Sequence, residues 1–186
     1  MLEVLPLTPE RWQDFADLCA QMGPNRSCYC MWWREEPGQS RAHTRARAQA
    51  LVTGACRPPG LLGYVDHVPV AWVAVAPRAE YPRLQANRNT APADGEEGVW
   101  AVPCFFVLPQ LRGQGIARTM LREAVRFAWA QGAQAVDGVP VDPAAKQRSS
   151  SASYTGTLPM FLAAGFVEKA RRHPQGRVVV QRRSPL

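Results

Sequence analysis

The residues best placed to do chemistry in this chain lie in a turn between an apolar run and an amphipathic stretch. The apolar run Cys104 to Leu108 ends at Pro109, Gly113 and Gly115 follow, and helical periodicity starts at Ile116-Ala117. The first backbone N–H groups of a helix lack intrahelical acceptors, and the helix dipole adds partial positive charge there. Such a turn suits a phosphate or pyrophosphate, and glycine lets the ligand approach the main chain closely. A second group of interest is Cys28-Tyr-Cys-Met-Trp-Trp-Arg34. Cys28 and Cys30 invite a metal or redox reading, but they lack a matching second pair, and His43, His67 and His173 are scattered. No metal is expected. Tyr29, Trp32 and Trp33 either enclose an apolar or cationic ligand or fill a core beneath a loop.

The chain of 186 residues is long enough for a real core, and one domain over 1–186 is expected. Hydrophobic residues make up 46% and charged residues 20%, the balance of a soluble globular protein. No apolar stretch approaches the ~20 residues of a membrane span. The first residues lack the basic and apolar regions of a signal peptide, so a cytoplasmic location and no membrane partner are expected. Five cysteines, an odd number, favour reduced thiols. The net charge of +7 raises the question of nucleic acid, but only Lys146 and Lys169 among the 22 basic residues are lysines. That reads as arginine-rich coding bias, and no nucleic-acid partner is expected.

The elements around these residues follow from periodicity and breakers. Thr8-Pro9 starts a helix over 10–22, with a capping hydroxyl and a proline preset for the first turn. Gly23-Pro24-Asn25 ends it. Ser40 caps a second helix reaching Val52, whose Arg41, Arg45 and Arg47 suggest a solvated face. Leu61 to Val65 and Val70 to Val75 form a hairpin about Asp66-His67. Residues 77–98 read as a long surface loop. Trp100 to Leu108 is the central strand, where Pro103 requires a bulge or an unpaired stretch. A helix over 115–131, a strand over 133–141 and a flexible serine-rich segment over 142–153 follow. A short helix from Leu158 to Ala164 then leads into a closing hairpin, Phe166 to Arg171 and Arg177 to Gln181.

A Walker-type phosphate loop requires Lys-Ser/Thr after its last glycine, and here Ile116-Ala117 follows Gly115. A dinucleotide fold requires a third spaced glycine within repeated βαβ units, and both are missing. The order β-α-α-β-β-β-α-β-α-β-β instead resembles the GNAT N-acetyltransferase superfamily, over nearly the whole chain. Gln110-Leu-Arg-Gly-Gln-Gly115 is similar to that superfamily's Gln/Arg-x-x-Gly-x-Gly/Ala motif, between Val107-Leu-Pro109 and Ile116-Ala117. Ala163-Ala-Gly-Phe166 resembles its usual Leu-Gly-Phe. The Cys-x-Cys-Met-Trp-Trp-Arg segment, Cys104-Phe-Phe-Val107 and Tyr154-Thr-Gly-Thr-x-x-Met-Phe161 resemble a bacterial subgroup without an assigned substrate.

The resemblance implies an α/β (α+β) fold, a mixed, mostly antiparallel central sheet flanked by helices. It implies direct transfer from acetyl-CoA to a primary amine of a small-molecule or peptide acceptor. The pyrophosphate would lie on Leu111, Arg112, Gly113, Gln114, Gly115, Ile116 and Ala117, and the pantetheine arm along Phe105, Phe106 and Val107. The oxyanion donor would be a backbone N–H near Phe105 or Phe106. Many relatives place a tyrosine acid four residues before the Gly-Phe glycine, but this chain has Phe161 there. Tyr154 is the first replacement candidate and Cys104 the second. For the base the candidates are Glu97, Glu96 and Glu35, or a water relay. Cys28, Cys30, Trp32 and Trp33 would line the acceptor pocket. Phe161 also sustains the alternative of a catalytically impaired CoA-binding protein. Acceptor identity, acyl length and homodimer formation stay open.

Overall fold

Alternating and continuous apolar segments build one open sheet of seven strands, in a computed structural model that describes residues 1–40, 42–93, 95, 97–145 and 154–185. The strands are β1 (Leu2–Pro6), β2 (Gly60–Val65), β3 (Val68–Pro77), β4 (Val99–Val107), β5 (Ala135–Gly138), β6 (Val167–Ala170) and β7 (Val179–Arg183). Their spatial order is β1-β2-β3-β4-β5-β7-β6. Neighbours are antiparallel throughout except β4 and β5, which are parallel. The helices are α1 (Trp12–Ala20), α2 (Thr44–Gly54), α3 (Pro82–Ala86), α4 (Ile116–Ala130) and α5 (Leu158–Ala163). The expected element order is present, with α3 added before β4.

Side-chain alternation puts helices on both faces of the sheet. Trp72 of β3 meets Phe15 of α1 at 4.5 Å between ring centroids. Its neighbour Ala71 faces the other way, where Gly63 of β2 leaves room for Met120 of α4. A Cβ at Gly63 would stand 2.8 Å from the Met120 sulfur. The buried face of α4 is Met120, Leu121, Ala124, Val125 and Ala128. The β2–β3 turn places Asp66 and His67 at φ 49° and 63°, the left-handed pair of a type I′ hairpin.

Several expected boundaries move for identifiable reasons. A 3-10 turn over Pro9–Arg11 precedes α1, and the Thr8 hydroxyl accepts from Arg11 Nη1 at 3.1 Å rather than capping the helix. Ser40 Oγ accepts from the Ala42 N–H at 3.2 Å in a local turn, and α2 begins later, at Thr44. The Arg41 part of that expected helix lies outside the described residues, as do Glu96 and most of the expected flexible segment, 146–153. Residues 77–98 are not a simple surface loop. They contain a 3-10 turn (Arg78–Glu80) and α3, and Arg78, Tyr81, Leu84 and Thr90 are all buried.

The middle of the sheet decides where an opening can form. β4 and β5 pair over only four positions, Val99–Val102 with Ala135–Gly138. At that closed end, Arg78 Nη1 contacts Asp137 Oδ2 at 2.5 Å and Gln181 Nε2 donates to Asp137 Oδ1 at 3.0 Å. Arg78 also donates to the Thr90 carbonyl. Arg78 follows β3 and Asp137 lies on β5, so this buried cluster ties together the two strands that flank β4. Removing one partner of a buried ion pair strands the other charge in a low-dielectric interior. An Arg78→Met substitution should lower unfolding free energy by about 3–5 kcal/mol in a denaturant titration. A change below about 1 kcal/mol would show that this cluster does not hold the closed end.

Candidate active-site cavity

Beyond Val102 and Gly138 the two central strands part, and a cavity of about 1070 Å³ opens along the outer edge of β4. Pro103 sits at the start of the parting. There Val102 and Pro103 face the single residue Val75, the bulge that the proline required. Further along, Leu108 N–H donates to the Val70 carbonyl, so even-numbered residues of β4 bond to β3 and odd-numbered ones face the cleft. Phe105 N–H, on the cleft side, donates to the Tyr154 carbonyl at 2.6 Å. The Val107 carbonyl, also on that side, accepts from Arg112 Nε at 3.1 Å. The segment 154–157 thus wedges between the parted strands. Val141 N–H bonds to Gly156 and Leu158 N–H bonds to Val141 on its other side.

The glycine turn borders the same cavity. Gly113 and Gly115 both have φ 80°, in the left-handed region, and Gly115 is the N-cap of α4. A Cβ at Gly113 would meet nothing within 4 Å, so its outer side is open space. Thr119 N–H makes the first helical bond, to the Gly115 carbonyl, and no backbone acceptor serves the N–H groups of 113–118 among the described residues. Leu111, Arg112, Gly113, Gly115, Ile116 and Ala117 line the cavity with Phe105, Phe106 and Val107. Gln114 does not; it is exposed and off the cavity wall.

The opposite wall comes from the region after α1. Cys28, Cys30, Trp32 and Trp33 all line the cavity, as do Gln21 and Asn25. Tyr29 and Cys30 take φ 45° and 52°, uncommon for residues with side chains. This segment is clamped by the part of the chain misread as loop. Arg34 contacts Glu80 at 2.5 Å, and Arg83 donates from Nε to the Glu35 carbonyl at 2.9 Å and from its N–H to the Trp33 carbonyl at 3.3 Å. Cys30 Sγ lies 3.1 Å from Cys104 Sγ, so the segment meets β4 directly.

Tyr154 and Cys104 both line the cavity. Burial pushes the Tyr154 phenol above its ordinary pKa, opposed by the Arg177 charge and its hydrogen bond. The carboxylate candidates fare differently. Glu97 is exposed and does not line the cavity; it precedes β4, seven residues before Cys104, or roughly 23 Å along an extended chain. Glu35 is 1% exposed, bonded to Arg47 at 2.6 Å, and is also off the cavity. Arg47 therefore neutralises a buried carboxylate rather than only lining a solvated face. The oxyanion expectation also changes. Phe105 N–H is already occupied by Tyr154, and Phe106 belongs to the β3 ladder. Phe161 is fully buried between Phe105 and Phe166 and is not on the cavity wall.

Sequence reading missed Arg118, which lines the cavity in the first turn of α4. A cation there opposes the helix dipole, a signal that an anion belongs nearby. It also missed Gly156, Thr157 and Met160, which only the wedge brings to the wall.

The acetyltransferase (GNAT) family profile matches residues 21–149, and the chain belongs to that family. Among curated proteins, none matches this sequence. Solved structures share its fold at low identity. Aminoglycoside acetyltransferase AAC(6')-Ib in complex with coenzyme A superposes with TM-score 0.57 at 13% identity, covering 98% of this chain and 95% of that one. The PaiA N-acetyltransferase from Thermoplasma acidophilum, in complex with coenzyme A, gives 0.57 at 10% identity, with 99% of each chain covered. A GCN5-related N-acetyltransferase from Kribbella flavida gives 0.56 at 16% identity, with 98% of each covered.

Proposed function

We propose that this member of the GNAT family transfers acetyl from acetyl-CoA directly to a primary amine of a small-molecule acceptor. The observation that carries this reading is the meeting, on one cavity, of the open glycine turn, the parted edge of β4 and the Tyr154 side chain. The unpartnered N–H groups of 113–118, with Arg112 and Arg118 beside them, suit the pyrophosphate of the donor. The pantetheine amides would pair with the Phe105 carbonyl and the Val107 N–H, the cleft-side groups left after Tyr154 and Arg112 take theirs. Two family structures that hold coenzyme A support the same donor.

Transfer begins when a neutral amine attacks the thioester carbonyl. The tetrahedral adduct then expels the CoA thiolate, which needs a proton. Tyr154 supplies it in this reading, because its raised pKa keeps the phenol protonated at neutral pH. No carboxylate lines the cavity among the described residues, so the attacking amine gives up its proton through water.

The lining also narrows the acceptor. The charged residues on the cavity wall, among the described residues, are Arg112 and Arg118. The aromatic faces on the acceptor side already meet guanidinium groups. Arg83 Cζ lies 4.0 Å from the Trp32 ring centroid, and Arg177 Cζ lies 5.8 Å and 5.0 Å from those of Trp33 and Tyr154. A polycation would find no counter-charge there. The acceptor is therefore a monoamine with an apolar or aromatic body. The aminoglycosides kanamycin and ribostamycin, held with coenzyme A by the AAC(6')-Ib enzyme, are poor candidates despite the shared fold.

Three measurements test this reading. Gly113→Val, forced into the left-handed region and projecting into the open side of the turn, should weaken CoA binding at least about 100-fold by isothermal titration. Retained affinity would remove the donor assignment. Tyr154→Phe keeps the carbonyl bond to Phe105 and deletes only the phenol. Its kcat should fall about 100-fold with CoA affinity unchanged. In the parent enzyme the amine must be neutral and the acid protonated, so rate should rise as the amine deprotonates and fall only through a limb above the ordinary tyrosine value of about 10. Y154F should lose that limb. Finally, free CoA release should be followed with a panel of amines. Phenethylamine-type monoamines should exceed kanamycin in kcat/KM by about tenfold or more. Tight CoA binding with no turnover on any amine would instead favour the catalytically impaired CoA-binding protein that Phe161 suggests.

A further inference from the structure

Two thiols meet inside the cavity wall from elements distant in sequence. Cys30, on the acceptor-side segment, and Cys104, on β4, are 74 residues apart, with their sulfur atoms at 3.1 Å. Each is 7% exposed and both border the cavity, so a small reagent that enters the cavity can reach them. Cys30 is brought there by a left-handed backbone at Tyr29 and Cys30, a conformation held only because surrounding contacts enforce it. Simple packing of two small hydrophobes requires neither so close an approach nor that backbone.

We propose that Cys30 and Cys104 form a redox-modified dithiol, oxidised by a peroxide entering the cavity to a disulfide that locks the acceptor-side segment onto β4 and slows transfer. The effect on transfer rests on the transferase reading; the bridge itself does not. The hydrogen bond to Cys104 and burial raise the pKa of Cys30 well above the ordinary value. In this proposal Cys104, held on β4 at the cavity wall, reacts first. Its sulfur attacks one peroxide oxygen, the O–O bond breaks, and water leaves, giving a sulfenic acid. The Cys30 sulfur then attacks the Cys104 sulfur, the S–O bond breaks, and a second water leaves as the S–S bond forms. The two thiols lose two electrons and two protons, and the peroxide accepts both. Bond formation at about 2.0 Å requires the two sulfur atoms, 3.1 Å apart, to approach by about 1 Å.

Other thiols supply the competing outcomes. Cys28 borders the same cavity, Cys19 is buried nearby with its pKa raised by burial and by Cys30 and Cys28, and Cys56 is exposed. The experiment treats the reduced full-length protein with stoichiometric hydrogen peroxide, blocks the remaining thiols by alkylation and maps peptides by mass spectrometry. The expected product is one peptide pair linked through Cys30 and Cys104, reversed by dithiothreitol. Oxidised protein should turn over the best amine acceptor about tenfold more slowly than reduced protein, and Cys30→Ser should show no such oxidised-to-reduced ratio. Linkage of Cys28 or Cys19 instead, or accumulation of Cys104 sulfinic acid, overturns the proposal, as does a bridge that leaves turnover unchanged. The peptide map on the parent protein decides the pairing even if the serine variant fails to fold. If the bridge forms while neither redox state transfers acetyl, the dithiol stands and the transferase reading falls.

Discussion

The parting of β4 from β5 after four paired positions is the constraint on which the rest of the site depends. A strand in the middle of a sheet cannot leave one edge bare inside the protein, because each unpaired buried amide or carbonyl forfeits a hydrogen bond. The wedge 154–157 meets part of that demand, through the Tyr154 carbonyl on Phe105 N–H. Arg112 meets another part at the Val107 carbonyl. What is left over on the β4 edge is a short, incomplete ladder facing a cavity, and an extended ligand with its own amides can complete it. Pro103 fits this scheme, since a residue with no N–H costs least where the ladder is already broken.

Opening one end of a sheet requires that the other stay shut. Arg78, Asp137 and Gln181 provide this from beneath the surface, joining β3, β5 and β7 around β4. Such a cluster is not a strong stabiliser in itself, because desolvating two charges offsets much of their attraction. Its value is directional. The geometry is satisfied only when the flanking strands hold one spacing, so the parting cannot migrate toward the closed end. The same part of the chain continues through Glu80 and Arg83, which bind the segment after α1 at Arg34, Trp33 and Glu35. One stretch between β3 and β4 therefore fixes both the closed end and the far wall of the cavity.

The glycine-turn side of the cavity was legible in the sequence because it is built from main chain. Backbone geometry leaves marks in residue type. Gly113 and Gly115 report left-handed turns, Pro103 reports a broken ladder, and the apolar stripe of 116–128 reports the helix that carries the turn. The 77–98 segment was misread because its Pro, Asn and Asp content is that of a surface loop. Its burial depends on partners elsewhere: Asp137 for Arg78, and the segment after α1 for Arg83. Glu35 and Arg47 escaped for the same reason, since single charges look solvated until a tertiary partner is known. Glu97 was chosen for closeness in sequence to β4, but an extended strand turns seven residues of sequence into a separation far beyond hydrogen-bond reach.

In the proposed reaction the proton donor comes from the wedge rather than from the last helix. Phe161 packs edge-on against Phe105 and Phe166, and a Cβ at Gly138 would collide with it, so its ring is part of the core under β5. A hydroxyl added there would have to be satisfied within that packing before it could serve a ligand. Tyr154 has no such conflict. Its main chain is fixed by Phe105, its side chain borders the cavity, and burial keeps the phenol protonated while Arg177 beside the ring limits the shift. The residue that closes the bare edge of β4 thus carries the phenol at the cleft where a thioester aligned on that edge would lie. Placing both tasks on one residue would make the proposed proton donor as rigid as the strand, which is the condition for it to act without reorganisation.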